Sequence, residues 1–329
     1  MAVYTILSND EISAFLTQYK VGKLVSAKGI AEGISNTNYK LELAYGEETV
    51  RYILTVFEKN FDAKDLPFFV ELTAWLSSRG VPCPHPVKMT NGNAISQIVG
   101  KPAMLVPFIE GENNPEIKMA HLDQVGGWMA KMHTTAERFP FYRHNSLALD
   151  GLQKVFASIR GQVNTIAPNL EKDIDEEITF LRRTWPYGLP SGIIHGDVFP
   201  DNVFFTGNDT VKPKLSGVID FYFSCSDFWI YDVLICMNAW CFDPGNRRFL
   251  PTRAKILFEG YGKVRTVTMP EKQAMPTLAR AAALRFLLTR CRDWINRVDG
   301  AVVTTKDPME YFDKLRFHRE VRGYWNYGL

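Results

Sequence analysis

Charge of one sign is the first thing this chain lacks. Across 329 residues, 38 Lys and Arg face 36 Asp and Glu, a formal net charge of +2. So even a balance gives no electrostatic reason to expect nucleic acid or a membrane surface as a partner. Long hydrophobic runs are missing too, since no stretch approaches the roughly 18 uninterrupted apolar residues of a membrane helix. The opening MAVYTILSNDEISAFL shows no basic segment followed by an apolar one, so no secretory signal is expected. The five cysteines (Cys83, Cys225, Cys236, Cys241, Cys291) are odd in number, scattered, and form no C-x-x-C pair. Cys236 and Cys241 lie near each other, but no second pair or neighbouring His completes a metal site. Reduced thiols acting as small hydrophobes in the cytoplasm are the expectation. Internal repeats and low-complexity segments are also absent.

What is present is enough apolar material for a large core, at 46% hydrophobic against 22% charged residues, and a length that favours two lobes. Residues 1–109 read mainly as strands with one helix among them. Residues 38–43 and 51–57 are strand-like, with hairpin-loop chemistry at Tyr45-Gly46-Glu47-Glu48 between them. Residues 65–79 carry a helical apolar stripe, with Asp65 placed to cap it, Pro67 in its first turn and Gly80 after its end. Two further short strands are expected at 94–98 and 103–108. At Glu110-Gly111-Glu112-Asn113-Asn114-Pro115 the composition turns polar, and residues 110–329 read as helices at 116–138, 150–163, 169–184, 228–240, 253–263, 271–297 and 307–321. One β-rich island, 192–221, interrupts them. The expected class is α+β, with a small β-rich N-lobe, a short hinge and a larger helical C-lobe.

The island holds His195-Gly196-Asp197-Val198-Phe199-Pro200-Asp201-Asn202 ahead of the apolar Val203-Phe204-Phe205, then Leu215-Ser216-Gly217-Val218-Ile219-Asp220-Phe221. Two apolar hairpin strands would deliver Asp197, Asn202 and Asp220 to one edge. Phosphoryl transfer needs a carboxylate to orient and accept the proton of the attacking hydroxyl, and hard oxygen ligands for Mg2+ on the phosphates. Asp197 suits the first role, Asn202 and Asp220 the second. Each alone is a common turn residue. Their joint spacing is what points to catalysis. His195 reads as a loop-bracing histidine, with an acid–base role as the alternative.

The H-G-D-x-x-x-x-N signature followed by Ile-Asp-Phe resembles the aminoglycoside phosphotransferase and choline kinase-like superfamily, relatives of the protein kinases, over nearly the whole chain. The resemblance implies a protein-kinase-like two-lobed fold, ATP and Mg2+ as cofactors, Asp197 as catalytic aspartate, and Asn202 and Asp220 as metal ligands. It also implies that Asp232, in Tyr231-Asp232-Val233, steadies the catalytic loop. Adenine is expected on the backbone around residues 106–109, with Val106 and Phe108 beside it. The glycine-bearing stretch from Lys28 through Gly33 and Asn36 to Asn38 is expected near the phosphates, although it is not G-x-G-x-x-G. The superfamily's phosphate-binding lysine is replaced here by Thr55, which leaves Lys28, Lys40 or Lys59 to compensate and makes Glu71 doubtful as the lysine's partner. A nucleotide-binding pseudokinase is therefore an alternative reading.

Finer features are similar to the homoserine kinases of that superfamily: Gly29-Ile30-Ala31-Glu32-Gly33 with Asn36 and Asn38, Ile53-Leu54-Thr55, Ile219-Asp220-Phe221-Tyr222-Phe223, LICMNAWCF at 234–242, Ala283-Leu284-Arg285-Phe286, and Lys314-Leu315-Arg316-Phe317-His318. In that group threonine at the lysine position is usual. The implied reaction is phosphorylation of L-homoserine by ATP, a step toward threonine. A free amino acid needs a cation for its carboxylate and an acid for its ammonium, and the helices after Asp220 offer Asp227, Asn238, Arg285 and Arg290 as substrate contacts, with Asp293 a further acid. A solvated helical face explains the same residues equally well. Choline, ethanolamine, methylthioribose and an aminoglycoside are the alternative substrates. The aromatic cluster of Tyr222, Phe223, Phe228, Trp229, Tyr231 and Trp240 is read as core before it is read as a cage for choline. A protein kinase is disfavoured, because no activation segment or A-P-E follows Asp220.

Overall fold

The computed structural model describes residues 5–30, 36–58, 63–113, 116–207, 213–297 and 305–329. Gly33 and Lys59 therefore lie outside the described residues. The chain forms two units, Met1–Glu110 and Gly111–Leu329.

The first unit begins with a helix, α1 (Asn9–Leu16), absent from the sequence reading, which placed one helix in this region. Its start is fixed by a reciprocal cap. The Glu11 amide donates to Ser8 Oγ at 3.2 Å, and the Ser8 amide donates to the Glu11 carboxylate at 2.7 Å. Ile12, Phe15 and Leu16 then point into the core. The sheet has five antiparallel strands in the order β1-β2-β3-β5-β4, with β1 Lys23–Ile30, β2 Asn36–Tyr45, β3 Glu48–Phe57, β4 Ser96–Ile98 and β5 Lys101–Pro107. Tyr45 pairs with Glu48 across the expected hairpin, where Gly46 supplies φ +65°. Alternation sends Leu41, Leu43, Leu54, Val56, Ala103 and Leu105 to the face that packs on α1. The opposite face carries Lys28, Lys40 and Ile53 in one cross-strand row and Asn38, Thr55 and Met104 in the next. Helix α2 (Leu66–Ser78) follows. Asp65 precedes it without a side-chain capping bond, and Gly80 at φ +74° closes it.

The second unit contains α3 (Met119–Thr135), α4 (Leu149–Ile159), α5 (Leu170–Thr184), α6 (Trp229–Trp240), α7 (Pro251–Gly262), α8 (Met269–Ile295) and α9 (Met309–Glu320). The island between α5 and α6 is larger than expected. Strand β6 (Ser191–Ile194) pairs with β9 (Cys225–Phe228), and β7 (Val203–Thr206) pairs with β8 (Lys214–Val218). Helices α3 and α7 touch backbone to backbone. A Cβ on Gly126 would come within 2.1 Å of the Leu257 carbonyl, and one on Gly260 within 2.1 Å of the Asp123 carbonyl. That contact brings His133 of α3 to 2.9 Å from the Tyr261 hydroxyl of α7. No helix among the described residues is long and apolar enough to cross a membrane.

Candidate active site

Residues 195–202 form the loop between β6 and β7, and a single buried carboxylate grips its start. Asp232, in the first turn of α6 and fully buried, accepts from the His195 amide at Oδ2 and the Gly196 amide at Oδ1, both at 2.8 Å. His133 Nε2 donates to the same Oδ2 at 2.9 Å, while His133 Nδ1 accepts from Tyr261. Burial pushes the Asp232 carboxyl upward, but the hydrogen bonds from His133 and the His195 amide hold it below the ordinary range. Gly196 sits at φ +78°, where a Cβ would stand 3.0 Å from the Phe223 carbonyl. The loop turns there because only glycine takes that conformation without strain.

His195 is fully buried. Its Nε2 donates to the Ile219 carbonyl at 3.1 Å and its Nδ1 accepts from the Asp197 amide at 3.2 Å, the neutral form tying the loop to the strand end before Asp220. Burial lowers its pKa to about 4. Trp240 Nε1 adds a bond to the Val198 carbonyl at 2.9 Å. Asn202 Nδ2 donates to both the carbonyl and Oδ2 of Asp197, at 2.9 and 3.1 Å, and the Asn202 carbonyl accepts from Ile219 N at 2.9 Å. Asp220 adopts φ +66°, a left-handed conformation that aspartate tolerates better than most residues. Asp197 is raised by burial and then by the Asp220 charge, with Arg285 pulling the other way; Asp220 is raised by burial, opposed by the Tyr222 amide. Burial thus holds both half-buried carboxylates above the ordinary range, and an added cation would favour their charged forms.

The proposed substrate contacts separate into two pairs. Asp227, on β9, accepts from Asn145 Nδ2 at 2.6 Å and from the Phe228 amide at 2.7 Å. Arg285, on α8, is 2% exposed, and a Cβ on Gly196 would lie 3.5 Å from its Nη1. Arg290 and Asn238 are occupied elsewhere. Arg290 Nη1 pairs with Glu310 at 2.7 Å and donates to the Asp307 carbonyl at 2.9 Å. Asn238 accepts from His318 Nε2 at 2.7 Å and donates to the Ala279 carbonyl at 3.3 Å. The expectation that these two contact substrate meets side chains whose bonds join α8 to α9 and α6 to its neighbours. Five residues apart on one helix, Arg285 and Arg290 cannot face the same way. Trp229, Tyr231 and Trp240 of the aromatic cluster are buried core. Sequence reasoning missed His133 and Tyr261, which carry Asp232 from behind; a His and a Tyr on separate helices leave no spacing signal.

In the first unit Thr55 Oγ1 donates to Asn38 Oδ1 at 2.8 Å, so the lysine position holds a neutral cross-strand bond. Lys28 stands directly opposite Lys40, and Lys40 Nζ lies 5.1 Å from the Phe108 ring centroid. Val106 pairs with Ile53, Asn36 is buried with its Oδ1 unpartnered among the described residues, and Glu71 is exposed.

Residues 26–269 match the phosphotransferase enzyme family. The chain is 44% identical over 330 residues to the homoserine kinase of Paramagnetospirillum magneticum, covering all of both proteins. It is 45% identical over 329 residues to that of Chelativorans sp., covering all of this chain and 99% of that one. Among solved structures it resembles amicoumacin kinase in complex with AMP-PNP, Ca2+ and Ami, with TM-score 0.70 and 13% identity over 97% of this chain and 95% of that one. It also resembles a microcompartment-associated aminopropanol kinase, with TM-score 0.68 and 17% identity over 95% and 97%. These identities are low enough that the likeness establishes the kinase-like α+β fold alone. Profile and full-length relatives together place this chain in the phosphotransferase enzyme family, on the branch occupied by the homoserine kinases.

Proposed function

We propose that this protein transfers the γ-phosphoryl group of ATP to the hydroxyl of L-homoserine, giving O-phospho-L-homoserine. The carrying observation is the loop itself, where Asn202 fixes the Asp197 carboxylate and Asp232 fixes the backbone on which Asp197 rides. Asp197 is the base. It orients the substrate hydroxyl and accepts its proton as the oxygen attacks phosphorus. Asn202 and Asp220 are the residues that would hold Mg2+. The fit is supported by the chemistry of the donors, an amide oxygen and a carboxylate that burial raises and whose charged form a cation would favour. When bound, the ion neutralises charge on the phosphates. Asp232 and His195 position and do not react, since both are buried and fully engaged with the loop.

The first unit is assigned to the nucleotide, with adenine near Val106 and Phe108 and phosphates near Lys28 and Asn36; the lysine pair Lys28–Lys40 is a source of the positive charge that Thr55 lacks. All five cysteines are free, which fits action in the reducing cytoplasm. A coupled ADP-release assay with Mg-ATP against L-homoserine, choline, ethanolamine, methylthioribose and kanamycin tests the reading. Turnover with homoserine alone is expected. Turnover with a different alcohol and none with homoserine would refute the substrate, and ATP binding without any turnover would favour a pseudokinase.

A further inference from the structure

Several buried or half-buried arginines of the helical unit pair with acids. Arg265 meets Glu271, Arg280 and Arg319 meet Glu177, and Arg290 meets Glu310. Arg285 breaks the pattern. It is 2% exposed in the middle of α8, and among the described residues neither its Nε nor its Nη1 has a hydrogen-bond partner. Its guanidinium lies 5.4 Å from the Phe223 ring and 4.9 Å from the Phe286 ring, with the Tyr231 hydroxyl as a neutral hydrogen-bond partner. A desolvated charge with free donors is unfavourable unless something joins it. Its Nη1 lies beside the loop, 3.5 Å from where a Cβ at Gly196 would stand.

We propose that Arg285 receives the α-carboxylate of the amino-acid alcohol whose hydroxyl lies at Asp197. This deepens the functional reading above and rests on it. A planar guanidinium matches a carboxylate in shape and charge, and a neutral alcohol would leave it uncompensated. Electrostatics agree with the placement, since burial raises the Asp197 carboxyl and the Arg285 charge opposes that shift.

The test compares wild type, Arg285→Met and Arg285→Lys on L-homoserine and on 3-aminopropan-1-ol, the same amino alcohol without its carboxylate. Wild type is expected to prefer homoserine in kcat/KM, and in Arg285→Met that preference should fall about a hundredfold, chiefly through KM for homoserine. Arg285→Lys, keeping the charge without the planar fork, should fall between. Should Arg285→Met not fold, wild type alone still decides: 4-hydroxybutanoate should compete with homoserine and 3-aminopropan-1-ol should compete far more weakly. An Arg285→Met enzyme slowed equally on both alcohols, with KM unchanged, would overturn the proposal in favour of a guanidinium acting on the phosphoryl group or the loop. A wild type that phosphorylates some other alcohol and not homoserine would instead overturn the functional reading.

Discussion

Replacing Asp232 with Asn tests how the catalytic loop is held. The carboxylate accepts three hydrogen bonds in a site closed to water, from the amides of His195 and Gly196 and from His133 Nε2. An amide of the same shape keeps an acceptor on one side only. Oriented best, it retains weakened bonds to His195 and His133 and turns its NH2 group against the Gly196 N–H. Hydrogen bonds to charged groups contribute about 1.5–3 kcal/mol each, and a buried donor left unmatched costs about 1–3 kcal/mol. The expected loss is about 3 kcal/mol, which for a unit of this size lowers Tm by about 6–12 °C. Turnover, measured well below that Tm, should fall about tenfold or more, because the displaced backbone carries Asp197. KM for ATP should change little. An Asp232→Asn protein that melts within 2 °C of wild type and keeps its kcat would refute the claim that this carboxylate holds the loop.

Gly196→Ala places a Cβ 3.0 Å from the Phe223 carbonyl at φ +78° and should cost about 1–3 kcal/mol in a denaturant melt while lowering kcat; wild-type stability and rate would contradict the geometry. Arg290→Met should lower stability by about 1–3 kcal/mol through loss of the Glu310 and Asp307 contacts, yet leave KM for homoserine unchanged, so a large rise in KM would return Arg290 to the substrate site. His318 is buried and neutral, its Nδ1 accepting from the Tyr327 hydroxyl, and burial lowers its pKa from 6.5 to about 3. Its contribution to stability is complete above pH 6.5 and is lost as pH falls toward 3, at about 1.4 kcal/mol per pH unit. Urea melts at pH 7 and 5 should show a less stable protein at pH 5, with the slope reduced in His318→Gln; a flat profile would contradict it.

The loop from His195 to Asn202 stood out in the sequence because the proposed chemistry needs fixed residue types at fixed offsets between apolar strands. Strands β2 and β3, the Gly46 turn and the long helices were also legible, since alternation and helical stripes are local signals. Helix α1 is only eight residues long, so its capping box at Ser8 and Glu11 carried the signal and its apolar stripe did not. Strand β9 has four residues, two of them polar, and exists because β6 pairs with it, a tertiary cause. Arg285 and Arg290 looked alike in sequence. Only their surroundings differ, one facing Gly196 and the other Glu310. The bracing of Asp232 by His133 and Tyr261 depends on the glycine-mediated contact of α3 with α7, which no linear pattern announces.

The central claim is that Asp197 serves as the base for phosphoryl transfer to homoserine, and the most direct measurement is O-phospho-L-homoserine formation followed by phosphorus NMR in wild type and Asp197→Asn. Wild type should form the phosphate ester from Mg-ATP and L-homoserine. The variant should bind Mg-ATP and melt close to wild type, yet form product about a hundred- to ten-thousandfold more slowly. Product formation at the wild-type rate without the Asp197 carboxylate would contradict the account.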